Sequence, residues 1–213
     1  MISAIIFDAE GVIIDTEMMW DNAQAEFLCR RGIDYDRPTI KHLLSGKSQP
    51  EAVAIIKAKY GLTEDVSALA NERRELVRRQ LEQQVEFVPG FREFYRRVQP
   101  AYRTAVGTAM PEDLLAIVDA RLGLSKLFAG HVYSLAAVGY RSKPHPDIFL
   151  HAADRLGVWP ENCVVIEDAP HGLEAARRAG MKSIGLTTTY DRQTLSHADV
   201  VVDSFAQIDL AAI

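Results

Sequence analysis

Cysteine is scarce in this chain: Cys29 and Cys163 are the only two in 213 residues. Each sits among apolar neighbours with no paired spacing. That excludes a disulfide framework and a cysteine-based zinc site, and it fits a reducing compartment. Long apolar runs are missing too. No stretch approaches the roughly 20 residues needed to span a bilayer. Met1–Ile6 is too short for a signal-peptide core, and Ile5–Ile6–Phe7 runs straight into polar Asp8. The expectation is a cytoplasmic protein without membrane association. An excess of basic charge is also absent, since the formal net charge is −5. Nucleic acid and anionic lipid reward basic surfaces, so neither is expected as the main partner. The basic pairs Arg30–Arg31, Arg73–Arg74, Arg78–Arg79 and Arg96–Arg97 lie in helical patterns balanced by acids, as solvated faces do.

What is present is ordinary globular composition, 48% hydrophobic and 25% charged. The length suits one large domain or one domain carrying an insert. Short β-branched runs recur at Ser3–Phe7, Thr104–Val106, His131–Leu135, Cys163–Ile166, Ser183–Leu186 and Val200–Val202. Such runs read as buried parallel strands. Helical patterns at Pro111–Leu122, Pro146–Leu156 and His171–Ala179 lie between them and stop at Gly123, Gly157 and Gly180. The alternation predicts an α/β fold, a doubly wound parallel sheet with a Rossmann-like core. From Thr16 to Val88 the alternation breaks. Met18–Arg30, Pro50–Tyr60 and Ser67–Gln84 are helical, with no convincing strand between them. The expected division is a core of residues 1–15 and 88–213 with an all-helical insert, 16–87.

Ligands of open α/β sheets bind at the carboxyl ends of the strands. The polar residues expected there are Asp8 and Glu10, then Thr108, then Lys143 after the third strand, then Glu167 and Asp168. Each alone has an ordinary explanation. Asp8 could cap the next element, Glu167–Asp168 could be acids at a helix N-terminus beside Pro170, Thr108 could cap the helix at Pro111, and Lys143 could be solvated. Their arrival in order at one sheet edge argues for chemistry instead. Magnesium takes oxygen ligands and one or two carboxylates, which Asp8 and Asp168 could supply. Phosphoryl transfer needs the charge on the transferring oxygens neutralised, a task suited to Lys143, Thr108 and the amides of the Asp8–Gly11 loop. An aspartate can attack phosphorus, and a second acid two residues on can protonate the leaving oxygen and then activate water.

The blocks around these residues resemble the signatures of one family. Phe7-Asp8-Ala9-Glu10-Gly11-Val12 through Glu17 is similar to the first motif of the haloacid dehalogenase superfamily. Gly107-Thr108-Ala109 resembles the second, Ser142-Lys143-Pro144-His145-Pro146-Asp147 the third, and Val165-Ile166-Glu167-Asp168-Ala169-Pro170 the fourth. The resemblance covers almost the whole chain. Its helical insert is similar to the small cap of the branch holding beta-phosphoglucomutase and many sugar-phosphate phosphatases. It implies Asp8 as phosphorylated nucleophile and residue 10 as general acid/base, with the main-chain carbonyl of residue 10 on the metal. It implies Thr108, Ala109, Lys143 and Gly11 around the phosphoryl group. Mg2+ would be held by Asp8, residue 10 and Asp168, with Glu167 bound directly or through water. In the cap it implies Lys47, Gln49 and Trp20 near substrate.

The chain departs from the pattern in places. Phosphotransferases of this family carry aspartate where Glu10 stands, so the carboxyl sits on a stem one methylene longer. Ala169 stands where serine is common. Beta-phosphoglucomutases place arginine where Gln49 stands and histidine where Trp20 stands, and both departures argue against a mutase. The favoured expectation is a Mg2+-dependent phosphatase of a small phosphorylated metabolite, monomeric or weakly dimeric. The alternatives are a sugar-phosphate mutase, or a homologue that binds phosphate but is impaired in turnover by Glu10. A carbon–halogen hydrolase needs no metal, and the Glu167–Asp168 pair argues against it.

Overall fold

The computed structural model describes residues 1–44 and 49–213, the side chains at positions 17, 41, 42, 49, 50 and 212 aside. Lys47 therefore lies outside the described residues, as does the side chain of Gln49. The chain forms two compact units.

The first unit comprises Met1–Asp15 and Val85–Ile213. Its centre is a six-stranded sheet of β1 (Ala4–Phe7), β2 (Arg103–Gly107), β3 (Val132–Tyr133), β4 (Cys163–Glu167), β5 (Lys182–Leu186) and β6 (Val200–Val202). The strand order is β3-β2-β1-β4-β5-β6, with every neighbouring pair parallel. Four helical segments precede the rest of the sheet and belong to the second unit: α1 (Glu17–Cys29), α2 (Arg37–Leu44), α3 (Gln49–Tyr60) and α4 (Val66–Gln83). The core then adds α5 (Phe91–Val98), α6 (Glu112–Leu122), α7 (Leu124–Leu127), α8 (Asp147–Leu156) and α9 (Pro170–Arg178).

Alternation along β1 divides the core between the two faces of the sheet. Ala4 and Ile6 pack in a cluster with Ala105, Ile148, Phe149, Ala152, Cys163, Val165 and Ala176. Phe7 points the other way, into an aromatic nest. Its ring centroid lies 5.8 Å from Phe91 and 5.7 Å from Phe128, both edge to face. Phe91, Phe94, Tyr95 and Val98 recur at helical spacing on α5, and all four are buried. Parallel strands buried on both faces explain the unbroken apolar runs of β1 and β4.

The return from the helical insert comes a little earlier than the sequence reading set it. Val85–Phe87 cluster with the core. The cause is a short pairing with the outgoing chain: the Asp15 N–H donates to the Glu86 carbonyl at 3.1 Å and the Val88 N–H to the Ile13 carbonyl at 2.9 Å.

The second unit, Thr16–Gln84, is all helical. Asp65 caps α4, accepting from the N–H groups of Ser67 and Ala68. Inside the unit Arg73 is buried. Its Nε donates to Gln24 Oε1 at 2.8 Å, and its guanidinium lies 4.9 Å from the Trp20 ring centroid. Among the described residues no helix is long and apolar enough to cross a membrane.

Candidate active site

The sheet register brings the strand ends together. Phe7 is level with Val106 on one side and Ile166 on the other. The next residue of each strand is therefore level too, so Asp8 emerges between Gly107 and Glu167. β1 is also where the strand order turns, since the chain goes to β2 on one side and later to β4 on the other. Such a switch point opens a crevice at the carboxyl edge.

Four of the expected residues meet in that crevice. Lys143 is buried there with Asp8, Glu167 and Asp168. Its Nζ lies 2.6 Å from Asp8 Oδ1 and 2.6 Å from Glu167 Oε1. Beneath it the Phe149 ring of α8 lies 4.7 Å from the ammonium, a cation–π contact that holds the charge over an apolar floor. Glu167 is fully engaged. Oε1 accepts from Lys143, and Oε2 accepts at 2.9 Å from the N–H groups of both Asp168 and Ala169. These amides open α9, so the carboxylate also complements the helix N-terminus.

Two glycines make room for the carboxylates. A Cβ on Gly172 would overlap the Glu167 carboxyl. A Cβ on Gly11 would overlap the Asp168 carboxylate and crowd the Thr189 hydroxyl, and its φ of +72° is one that other residues resist. The Gly11 N–H donates to the Ile14 carbonyl at 2.8 Å. What Gly11 offers is thus a tight turn rather than a free amide. Glu10 is half-buried and pairs with Ile14 through the backbone.

Thr108 is buried at the end of β2, and its hydroxyl accepts from the Met110 N–H at 3.0 Å. Ala109 beside it is exposed. Trp20 is half-buried in the helical unit. Sequence reasoning placed Gly172 in the fourth motif without giving it a role, and did not single out Thr188 and Thr189. The Thr188 hydroxyl donates to the Gly11 carbonyl at 2.5 Å, and the Thr189 hydroxyl and the Asp168 carboxylate both lie against Gly11. The run Thr187-Thr188-Thr189 directly after a strand was the available signal.

The electrostatics follow from crowding. Burial pushes the Asp8 carboxyl up to about 7; Lys143 opposes this, while Glu167 and Glu10 add to it. Burial also raises Asp168 well above the usual carboxylate range, with Glu167 and Asp8 adding to the effect. Burial favours protonated Glu167, but Lys143 and His171 outweigh it and hold that carboxylate down. Burial works against the Lys143 ammonium as well, and the two carboxylates beside it overcome this and hold it charged.

The donor set fits a divalent cation. One oxygen from each of Asp8, Glu167 and Asp168 lies within 4.8 Å of the others, and all three residues are buried. Among the described residues, these three carboxylates surround one ammonium, that of Lys143. Hard oxygen donors in negative excess suit a small divalent ion, and neither thiol nor imidazole is in the set.

A doubly wound parallel core with charged groups at its switch point, and a helical unit inserted after the first strand, defines the class of α/β enzyme. The haloacid dehalogenase-like hydrolase family matches residues 2–180, and the chain belongs to that family. It is 37% identical to the fructose-1-phosphate phosphatase YqaB of Escherichia coli over 190 residues, covering 85% of this chain and 95% of that one. A haloacid dehalogenase-like protein of Agrobacterium tumefaciens superposes with a TM-score of 0.85 at 28% identity, over 100% of this chain and 97% of that one. Beta-phosphoglucomutase of Clostridium difficile gives a TM-score of 0.77 at 28% identity, over 100% and 95%.

Proposed function

We propose that this chain is a Mg2+-dependent phosphatase of small phosphorylated sugars that works through an aspartyl-phosphate on Asp8. The observation that carries it is the buried Asp8–Lys143–Glu167–Asp168 constellation at the switch point of the sheet. Similarity to a sugar-phosphate phosphatase over most of the chain supports the substrate class.

In this reading an Asp8 oxygen attacks phosphorus and the ester P–O bond breaks. The Glu10 carboxyl gives its proton to the departing sugar oxygen. Water then attacks the aspartyl-phosphate, its proton passes to Glu10, and phosphate leaves with the Asp8 carboxylate restored. Lys143 holds Asp8 in line and neutralises charge on the transferring oxygens. Thr108 supplies a hydroxyl at the same level of the sheet, and Gly11 lets the loop approach the phosphate. Ala109 lies beside this site. Asp8, Asp168 and the residue-10 carbonyl would hold Mg2+, with Glu167 acting through water. When bound, the ion neutralises phosphoryl charge and so favours attack by an anion. Trp20, Lys47 and Gln49 are the candidates in the helical unit for choosing the sugar moiety.

The mutase alternative predicts isomerised sugar phosphate and no free phosphate. Trp20 and Gln49 weigh against it. The nucleophile assignment is tested by Asp8→Asn. Turnover is expected to fall by about four orders of magnitude or more while the circular dichroism spectrum stays unchanged. Activity at the wild-type level in that variant would remove Asp8 from the chemistry.

A further inference from the structure

Three consecutive threonines follow β5, and each hydroxyl has a different destination. Thr187 Oγ1 donates to Asp203 Oδ1 at 2.9 Å, just past β6. Thr188 Oγ1 donates to the Gly11 carbonyl at 2.5 Å. The Thr189 hydroxyl lies beside the Asp168 carboxylate, both of them against Gly11. The backbone of this turn is itself fixed, with the Thr187 N–H on the Val202 carbonyl at 3.0 Å and the Thr188 N–H on the Leu186 carbonyl at 2.9 Å.

The topology makes this reach informative. β5 is separated from β1 by β4, so the turn after β5 and the loop after β1 meet across the end of β4. It lands on two places at once: the loop that begins at Asp8, and the carboxylate that follows β4. Gly11 lacks a side chain where the contact is made, and a Cβ there would collide with both Asp168 and Thr189. Gly11, Asp168 and Thr189 therefore interlock. Oxygen ligands are usually oriented by such outer hydrogen bonds, whose removal weakens metal binding about 10- to 100-fold.

We propose that Thr188 and Thr189 form a clamp that positions the metal-binding groups, Thr188 fixing the Asp8–Gly11 loop and Thr189 aiming the Asp168 carboxylate. They are positioning residues; neither touches the reacting atoms. The inference rests on the metal reading above and deepens it.

The test is binding of Mn2+ alone to the full chain, followed by calorimetry and by the paramagnetic resonance of free Mn2+, with no substrate present. Mn2+ shares the preference of Mg2+ for oxygen donors. Thr189→Val is nearly isosteric and removes only the hydroxyl. It is expected to raise the Mn2+ Kd about 10-fold or more, and Thr188→Val to raise it in the same direction. Thr189→Ser and Thr188→Ser restore the hydroxyl and are expected to bind as the wild type does. An unchanged Kd in both valine variants overturns the clamp, whatever their metal-free melting temperatures. So does a serine variant as weak as its valine counterpart, since keeping the hydroxyl would then not keep the binding. A wild-type chain that binds no Mn2+ overturns the metal reading, and the clamp with it.

Discussion

Glu10 is a proposed site residue that departs from the pattern the sequence otherwise follows. Its carboxyl is right for moving a proton, and its stem is one methylene longer than the aspartate of the related phosphotransferases. A displacement of about 1 Å at a reacting group can cost on the order of 100-fold in rate. Glu10→Asp is accordingly expected to raise kcat by up to about 100-fold, measured as phosphate release under saturating substrate. An equal or lower rate would mean that the pocket is shaped for glutamate. Asp8 carries a second consequence. Burial raises its carboxyl to about 7 in the metal-free chain, against an ordinary value of 3.8. The folded chain then binds a proton that the unfolded chain has released, between about pH 4 and pH 7. The associated stability is present at the acid end and lost as pH rises through 7; Asp168, also raised, has the same sign. With chelator present, the denaturation midpoint is expected to fall from about pH 5 to about pH 8. Asp8→Asn should show a shallower fall, and an equal slope in variant and wild type would contradict this assignment. Residue types at the ends of successive strands made Asp8, Lys143 and Asp168 legible as candidates. The threonine run after β5 marked Thr188 as a strand-end residue, but its contact with Gly11, 177 residues away, is encoded by no local pattern.

The strands were legible as elements because each is buried on both faces and reads as an unbroken apolar run. β3 is shorter than its apolar run suggests. It pairs with β2 through Val132 and Tyr133 alone, at the edge of the sheet, before Ser134 caps a 3-10 turn. α5 went unread although Phe91, Phe94, Tyr95 and Val98 carry the helical spacing. Eight residues with four charged or polar positions hold too little periodic signal beside the Pro89–Gly90 punctuation. Yet α5 supplies the aromatic nest around Phe7, the residue immediately before Asp8. Phe7→Ala is expected to destabilise the chain by about 3–5 kcal/mol, read from the urea midpoint at constant slope. A loss below about 1 kcal/mol would show that this nest does not support β1.

The whole molecule combines a parallel sheet, whose carboxyl edge gathers the candidate site, with a helical unit that enters the chain between β1 and β2. The break in β/α alternation made that insertion visible in the sequence. Its point of return was less visible, because the pairing of Asp15 with Glu86 and of Ile13 with Val88 is a contact between distant segments. Substrate choice sits at this scale. Selectivity is expected from residues of the helical unit such as Trp20. The account as a whole is tested most directly by inorganic phosphate release from a panel of sugar monophosphates that includes fructose 1-phosphate, with Mg2+ and with chelator. Phosphate released at catalytic rates with Mg2+, and abolished by chelator, is the predicted result. Release that ignores chelator, or isomerised sugar phosphate with no free phosphate, would contradict it.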